Sequence, residues 1–234
     1  LLAYDPAYAY EIAAIVYEGL RRMYVEKEDI FYYLTVMNET YPQPPMPDGA
    51  RDGILKGMYR LRESGLEDPD HRAQLLGSGA ILNEALEAGR ILEENYGVAA
   101  DVWSVTSYKE LHREALDAER WNFRHPEEEP RQPYVSRCLQ DAEGPIVAAT
   151  DYLKALPDSI CRWLPRRLVS LGTDGYGRSD GRSALRRFFE VDAASIVLAT
   201  LSYLAAEGDI DPERVATAMD DLGLDPDKPN PMNC

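Results

Sequence analysis

Two glycine-rich segments are the first candidates for chemistry. Gly77-Ser78-Gly79 stands between a short apolar run at 73–76 and an amphipathic stretch that begins at Ala80. Backbone N–H groups at such a strand-to-helix turn can cradle a phosphate or another anion. The dinucleotide pattern fails because position 82 is Leu, and the Lys-Ser/Thr of a P-loop is missing. A tight turn without a ligand is the preferred reading. The second segment is Gly172-Thr173-Asp174-Gly175-Tyr176-Gly177-Arg178-Ser179-Asp180-Gly181. Its glycines permit positive φ and close backbone approach. Gly175, Arg178, Ser179 and Asp180 are therefore candidates for a subunit-interface loop or an anion loop, with the interface or structural reading preferred. The acidic spacing of an EF-hand is not met.

Other reactive side chains do not assemble into a motif. His71, His112 and His125 form neither HxxxH nor HExxH, and no Cys/His cluster has zinc spacing. Cys138 has no local nucleophile context, and no GxSxG occurs. Glu127-Glu128-Glu129 reads as a solvated acidic turn. Trp121-Asn122-Phe123-Arg124-His125-Pro126 reads as a buried corner after a helix. By these residues alone the chain has no self-contained active site.

The elements that must position these residues alternate. Asp5 as N-cap and Pro6 at N1 open a helix over 7–23, with Ile12, Ile15, Val16, Leu20 and Met23 as its buried stripe. The run 30–37 is β-branched and aromatic on both faces and reads as a strand buried in a parallel sheet. With nothing before the helix, the chain reads as beginning inside a domain. Four prolines between 42 and 47 mark an extended linker. The stretch 54–62 is ambiguous between helix and strand. Beyond it come a strand at 73–76, a helix at 80–96 closed by Gly97, and a strand at 100–105. Ser107 and Glu110 then open a helix to about 120 as a capping box. A strand at 144–150, a helix at 151–163 and a strand at 167–171 precede the glycine loop. Helices at 183–189, 193–207 and from Pro212 to about 222 complete the order, the last capped by Asp211. The class is α/β with a mostly parallel sheet flanked by helices.

Length and composition bound the function. At roughly 150 residues per domain, 234 residues make about one and a half domains. Apolar residues at 45% exclude wholesale disorder. With 25 basic and 41 acidic residues the net charge is −16, which disfavours nucleic acid and anionic membrane as partners. The longest nearly apolar run, 193–206, is too short to span a bilayer. The first residues lack the features of a signal peptide. Cys138, Cys161 and Cys234 form no disulfide framework, so the cytoplasm is the expected compartment.

Several stretches together carry a resemblance. They are Tyr4-Asp5-Pro6-Ala7-Tyr8-Ala9-Tyr10-Glu11, Gln74-Leu75-Leu76-Gly77-Ser78-Gly79, Val105-Thr106-Ser107, Glu119-Arg120-Trp121-Asn122 with His125-Pro126, and Ala149-Thr150-Asp151-Tyr152. The longest is the run from Leu171 to Asp180, continued by Phe189-Glu190-Val191-Asp192. In this order the chain resembles the homodimeric-type pyruvate dehydrogenase E1 component, a thiamine-diphosphate enzyme. The resemblance runs from Tyr4 to about Asn230. It implies a three-domain protein in which residues 1–48 end the middle, pyrimidine-binding domain. Residues 49–70 would be linker, and 71–234 a transketolase-like C-terminal domain.

That family decarboxylates pyruvate and reductively acetylates the lipoyl group of the dihydrolipoyl acetyltransferase, E2. The resemblance implies thiamine diphosphate and Mg²⁺ bound by upstream domains, a homodimer, and no cofactor or metal ligand in this segment. The family's Gly-Asp-Gly motif is only partly matched by Thr173-Asp174-Gly175, and no Asn follows until Asn230. The activating Glu and the active-centre histidines are expected upstream. The end of the strand at 30–37 is expected to approach the substrate channel, so Asn38, Glu39 and Tyr41 are candidates for its mouth. Pro42-Gln43 stands where some relatives carry His-Met. The alternative reading is a non-catalytic dimerisation or regulatory module derived from a transketolase-like enzyme. A transketolase or a 2-oxoglutarate dehydrogenase is disfavoured by the Glu-Arg-Trp-Asn stretch and the long glycine loop.

Overall fold

The computed structural model describes residues 1–233, so Cys234 lies outside the described residues. Among the described residues there are two sheets, one parallel and one mostly parallel. The first pairs β1 (Leu2–Tyr4) with β2 (Tyr32–Leu34), and α1 (Ala9–Leu20) connects them. A strand therefore precedes the first helix. Three residues are too few to show a hydrophobic period, which is why β1 escapes a pattern reading. The second sheet has the order β3-β5-β4-β6-β7, from β3 (Tyr59–Arg62), β4 (His71–Gly77), β5 (Val98–Ser104), β6 (Ile146–Ala149) and β7 (Leu168–Leu171). Only β3 is antiparallel.

Helices cover both faces of this sheet. On one side α3 (Leu82–Tyr96) and α8 (Ala193–Glu207) pack on Ala73, Leu75, Ala100, Val102 and Val147. On the other, α4 (Tyr108–Arg124) and α5 (Tyr134–Leu139) pack on Leu76, Trp103, Ile146 and Ala148. The alternation follows from the strand period of two. Strand β5 is buried along its whole length, as a central parallel strand must be. The stretch Arg182–Glu207 is long and apolar enough by composition to cross a membrane. It is two helices, α7 (Arg182–Phe189) and α8, separated by Glu190 at φ +60°, and the apolar side of α8 lies in the core.

Several sequence expectations are corrected. The N-cap of α1 is Tyr8, not Asp5; Asp5 instead accepts hydrogen bonds from Thr35 Oγ1 (2.6 Å) and Tyr152 Oη (2.8 Å). The buried positions of α1 are Glu11, Ile15 and Gly19, while Val16 and Leu20 are exposed, because the helix meets the protein along one narrow line. Strand β2 is three residues long, and Phe31 and Tyr33 are exposed, since a two-stranded sheet cannot cover both faces. The segment 49–70 is not simply a linker: it holds α2 (Ala50–Lys56) and β3. The expected helix at 151–163 is only α6 (Ala155–Asp158) and a 3₁₀ turn at Cys161–Trp163. Helix α5 was not expected. Ser107 Oγ accepts from Glu110 N (3.0 Å), the forward half of the capping box, but the Glu110 carboxylate turns to Arg113 instead.

The Trp121 corner is also exposed rather than buried. Phe123 is 87% exposed, and Trp121 lies between the His125 ring (4.4 Å) and the Arg131 guanidinium (4.0 Å).

Candidate functional site

In an open parallel sheet, ligand sites form outside the strand carboxyl ends where the connections diverge. Here the chain leaves β4 toward β5 and leaves β6 toward β7, so the divergence lies between β4 and β6. Ser78 Oγ and Thr150 Oγ1, at the ends of these strands, are 2.8 Å apart. The N-terminal segment seats on the same ends. Gly79 N donates to Asp5 O (3.1 Å), Asp5 N to Thr106 O (2.7 Å) and Ser107 Oγ to Ala3 O (2.6 Å).

One carboxylate ties the two sheets together. Glu11 is fully buried, at the N3 position of α1. It accepts from Ala7 N (2.5 Å) and Tyr8 N (3.1 Å) within its own turn, and from Tyr59 Oη (2.7 Å) on β3 and Ser104 Oγ (2.6 Å) on β5. Four donors satisfy a charge that would otherwise be very costly to bury.

At the seam between the two sheets lies a cavity of about 310 Å³. Its walls are Met37 and Glu39 from the segment after β2, Ala80 after β4, Asp151 after β6, Thr173, Gly177 and Arg178 from the glycine loop, and Arg182, Leu185 and Arg186 from α7. Arg178, Arg182 and Arg186 are spaced by four. Arg186 Nη1 donates to Glu39 Oε1 (3.1 Å) and Glu84 Oε1 (3.0 Å), and Nη2 donates to Glu39 Oε2. Glu84 Oε2 in turn accepts from Ala193 N (3.0 Å), the first residue of α8. Burial pushes the Asp151 carboxyl up; Arg186 opposes the shift, and Glu39 and Glu84 add to it.

The expected site residues divide. Glu39 lines the cavity; Asn38 is not among its walls but accepts from the wall residue Arg182 through both its backbone and side-chain oxygens. Tyr41 turns back instead: its hydroxyl donates to Ala7 O and its ring packs edge-on against Tyr8. Arg178 reaches the cavity while stacking on Phe188 (4.3 Å). Ser179 and Asp180 line a separate shallow hollow with it, and Asp180 Oδ1 accepts from Gly181 N (2.6 Å). Gly175, at φ +98°, packs on the backbone of Pro231 and Met232. Asp151, Glu84 and Arg186 escaped the sequence reading. The signals available were an Asp two residues past a strand and the four-residue arginine spacing.

The remaining reactive groups stay apart. A larger hollow of about 700 Å³ lies over the polar half of one sheet face. Its charges pair internally, with Arg72–Glu143 at 3.5 Å and Arg60–Asp101 at 3.9 Å. Cys138 is half-buried and Cys161 exposed, both free. Burial pushes the Cys138 thiol up, which makes it a poor nucleophile. His112 leans on Trp163 and His125 on Trp121. Among the described residues, no three of His, Cys, Asp and Glu come together to hold a metal ion.

A family model described as the transketolase-like C-terminal domain matches residues 57–192. The chain belongs to this family. A second model, the middle domain of the pyruvate dehydrogenase E1 component, matches residues 1–44 of this transketolase-like chain. Over 232 residues the chain is 53% identical to the pyruvate dehydrogenase E1 component of Pseudomonas aeruginosa PAO1, and 50% identical to that of Escherichia coli K12. These alignments cover 99% and 98% of the chain but only 26% of each relative. The chain thus spans about a quarter of the length of the curated relatives it matches, and corresponds to their C-terminal portion. Among solved structures, transketolase from Campylobacter jejuni superposes with TM-score 0.59 at 18% identity, covering 86% of this chain and 26% of that one. A split-gene transketolase, described as an inactive β4 tetramer, gives 0.52 at 19%, covering 87% and 56%. At these identities the likeness concerns fold alone.

Proposed function

We propose that the chain acts as the C-terminal portion of a pyruvate dehydrogenase E1 component. That enzyme decarboxylates pyruvate and transfers the acetyl group to the lipoyl arm of an E2 acyltransferase. The observation that carries this reading is the 53% identity over 99% of the chain to a protein of that name. The two family matches, in the same order along the chain, support it. The working enzyme is read as a cytoplasmic homodimer.

Thiamine diphosphate, when bound, supplies the electron sink for decarboxylation. The described residues of the cavity and the glycine loop do not fit the group or its Mg²⁺. Of the cavity's two carboxylates, Glu39 is already engaged with Arg186 and Asp151 is held toward its neutral form by burial, and Thr173-Asp174-Gly175 is committed elsewhere. Thr173 donates to the backbone of Asp151 and Tyr152, Asp174 lies 3.9 Å from Lys154, and Gly175 packs on the C-terminal turn. The chain's own work is therefore to build the frame and the channel mouth rather than to hold the cofactor. Glu11 joins the two sheets, and Arg182 and Arg186 of α7 hold Glu39 at the cavity. Asn38 and Glu39 form the mouth of the substrate channel in this reading.

Calorimetric titration of thiamine diphosphate and Mg²⁺ into the purified chain tests the placement of the cofactor. No saturable heat is expected. Binding at one site per chain would overturn it and move attention to the loop from Gly172 to Gly181.

A further inference from the structure

We propose that Arg186 is a positioning residue that fixes the Glu39 carboxylate at the rim of the cavity, as a hydrogen-bond acceptor toward whatever enters. The inference rests on the reading that Glu39 lines the substrate channel.

Glu39 belongs to a segment without regular secondary structure. Its direction is therefore not set by a helix or strand and must come from side-chain contacts. The neighbouring Asn38 is held by Arg182, and Tyr41 is tied to Ala7, so the backbone on both sides is fixed. The carboxylate itself is held by Arg186, which meets both of its oxygens. A planar guanidinium bonded to both oxygens sets the plane as well as the place of a carboxylate, which an ammonium cannot do. Each oxygen keeps a further lone pair free for an O–H or N–H donor.

Arg186 is in turn held from behind. Glu84 on α3 accepts from its Nη1 and is itself fixed by the first N–H of α8. The series Glu39, Arg186, Glu84 and Ala193 thus runs from the cavity rim to a core helix. The side chain of Arg186 is only 13% exposed and those of both glutamates 22%, so the arrangement is shielded from solvent. Surface ion pairs give little, but a shielded two-oxygen pair holds geometry. Arg182, 3.6 Å from Glu39, is much more exposed and makes a looser contact.

The test uses the complete holoenzyme dimer with thiamine diphosphate and Mg²⁺, pyruvate as substrate and ferricyanide as electron acceptor. The variants are Arg186→Lys, Glu39→Gln and the pair. Each single variant is expected to lower kcat about tenfold or more, the scale of one lost charge-assisted hydrogen bond. KM should stay within about twofold, because an acceptor held for the reacting geometry acts on turnover rather than on uniform binding. The pair should be no slower than Glu39→Gln alone, because Arg186 acts through Glu39. The unfolding midpoint of Arg186→Lys should match the wild type. Should that variant fold poorly, Glu84→Gln, which loosens the fork from behind, is read the same way and is expected to lose turnover. Multiplying losses in the double variant, or unchanged turnover in Arg186→Lys, would overturn the proposal. A wild-type holoenzyme that does not turn over pyruvate would instead overturn the functional reading beneath it.

Discussion

Asp151 shows how one side chain at a strand end takes its properties from the whole cavity. It sits two residues past β6, beside a guanidinium already shared by Glu39 and Glu84. Burial disfavours its ionised form, and the two glutamates disfavour it further. Its folded-state pKa is therefore above that of the unfolded chain. The stability it contributes is fully present below the ordinary carboxylate range and is lost as pH rises through the raised value. At neutral pH the wild type thus carries a penalty that Asp151→Asn lacks. The substitution should stabilise the chain at pH 7 by on the order of 1 kcal/mol, the scale of relieving a poorly solvated polar group. The gain should vanish as pH falls below the carboxylate range. Denaturant midpoints measured across that range check the sign, and a variant less stable at pH 7 would contradict it.

Among the elements, the junction of α1, β3 and β5 is the most demanding, because its polar centre is a fully buried carboxylate. Glu11→Leu would leave four donors without their acceptor and should cost about 3–5 kcal/mol. Glu11→Gln keeps the shape but loses acceptor capacity and should cost about 1.5–3 kcal/mol. Urea unfolding measures both, and a Leu variant within about 0.5 kcal/mol of wild type would show that the junction is not held by Glu11. Elements with complete local signals were legible in the sequence. Helix α8 has Asp192 bonded to Ser195 N at one end and Gly208 at φ +85° at the other. Helix α9 (Pro212–Asp221) has Asp211 and Pro212. The start of α1 departs from its local signal for the opposite reason. Asp5 and Pro6 carry a full N-cap signature, yet Asp5 is drawn to Thr35 and Tyr152, partners 30 and 147 residues away. The site follows the same rule. Glu39 is a candidate only through the family resemblance, since nothing in its local pattern marks it. Its partner Arg186 lies 147 residues on, and the Arg186–Glu84 pair spans 102, distances no local pattern reports.

At the scale of the molecule, a small two-stranded sheet is seated on the carboxyl edge of a larger, mostly parallel one, and the seam between them carries the cavity. The outer side of the small sheet leaves Phe31, Tyr33 and Val36 exposed, together with Tyr17, Tyr24 and Val25 of the adjoining helical segment. In the proposed reading, upstream residues of the middle domain cover this side. The chain then supplies one wall of a larger assembly, and its identity with the relatives should be functional as well as structural. The most direct measurement replaces the matching C-terminal quarter of the Pseudomonas aeruginosa E1 component with this chain, then follows pyruvate decarboxylation by the purified chimera. The chimera is expected to be a dimer that binds thiamine diphosphate and turns over pyruvate within about tenfold of the parent, a penalty of about 1.4 kcal/mol or less. A folded, cofactor-binding chimera without turnover would contradict it.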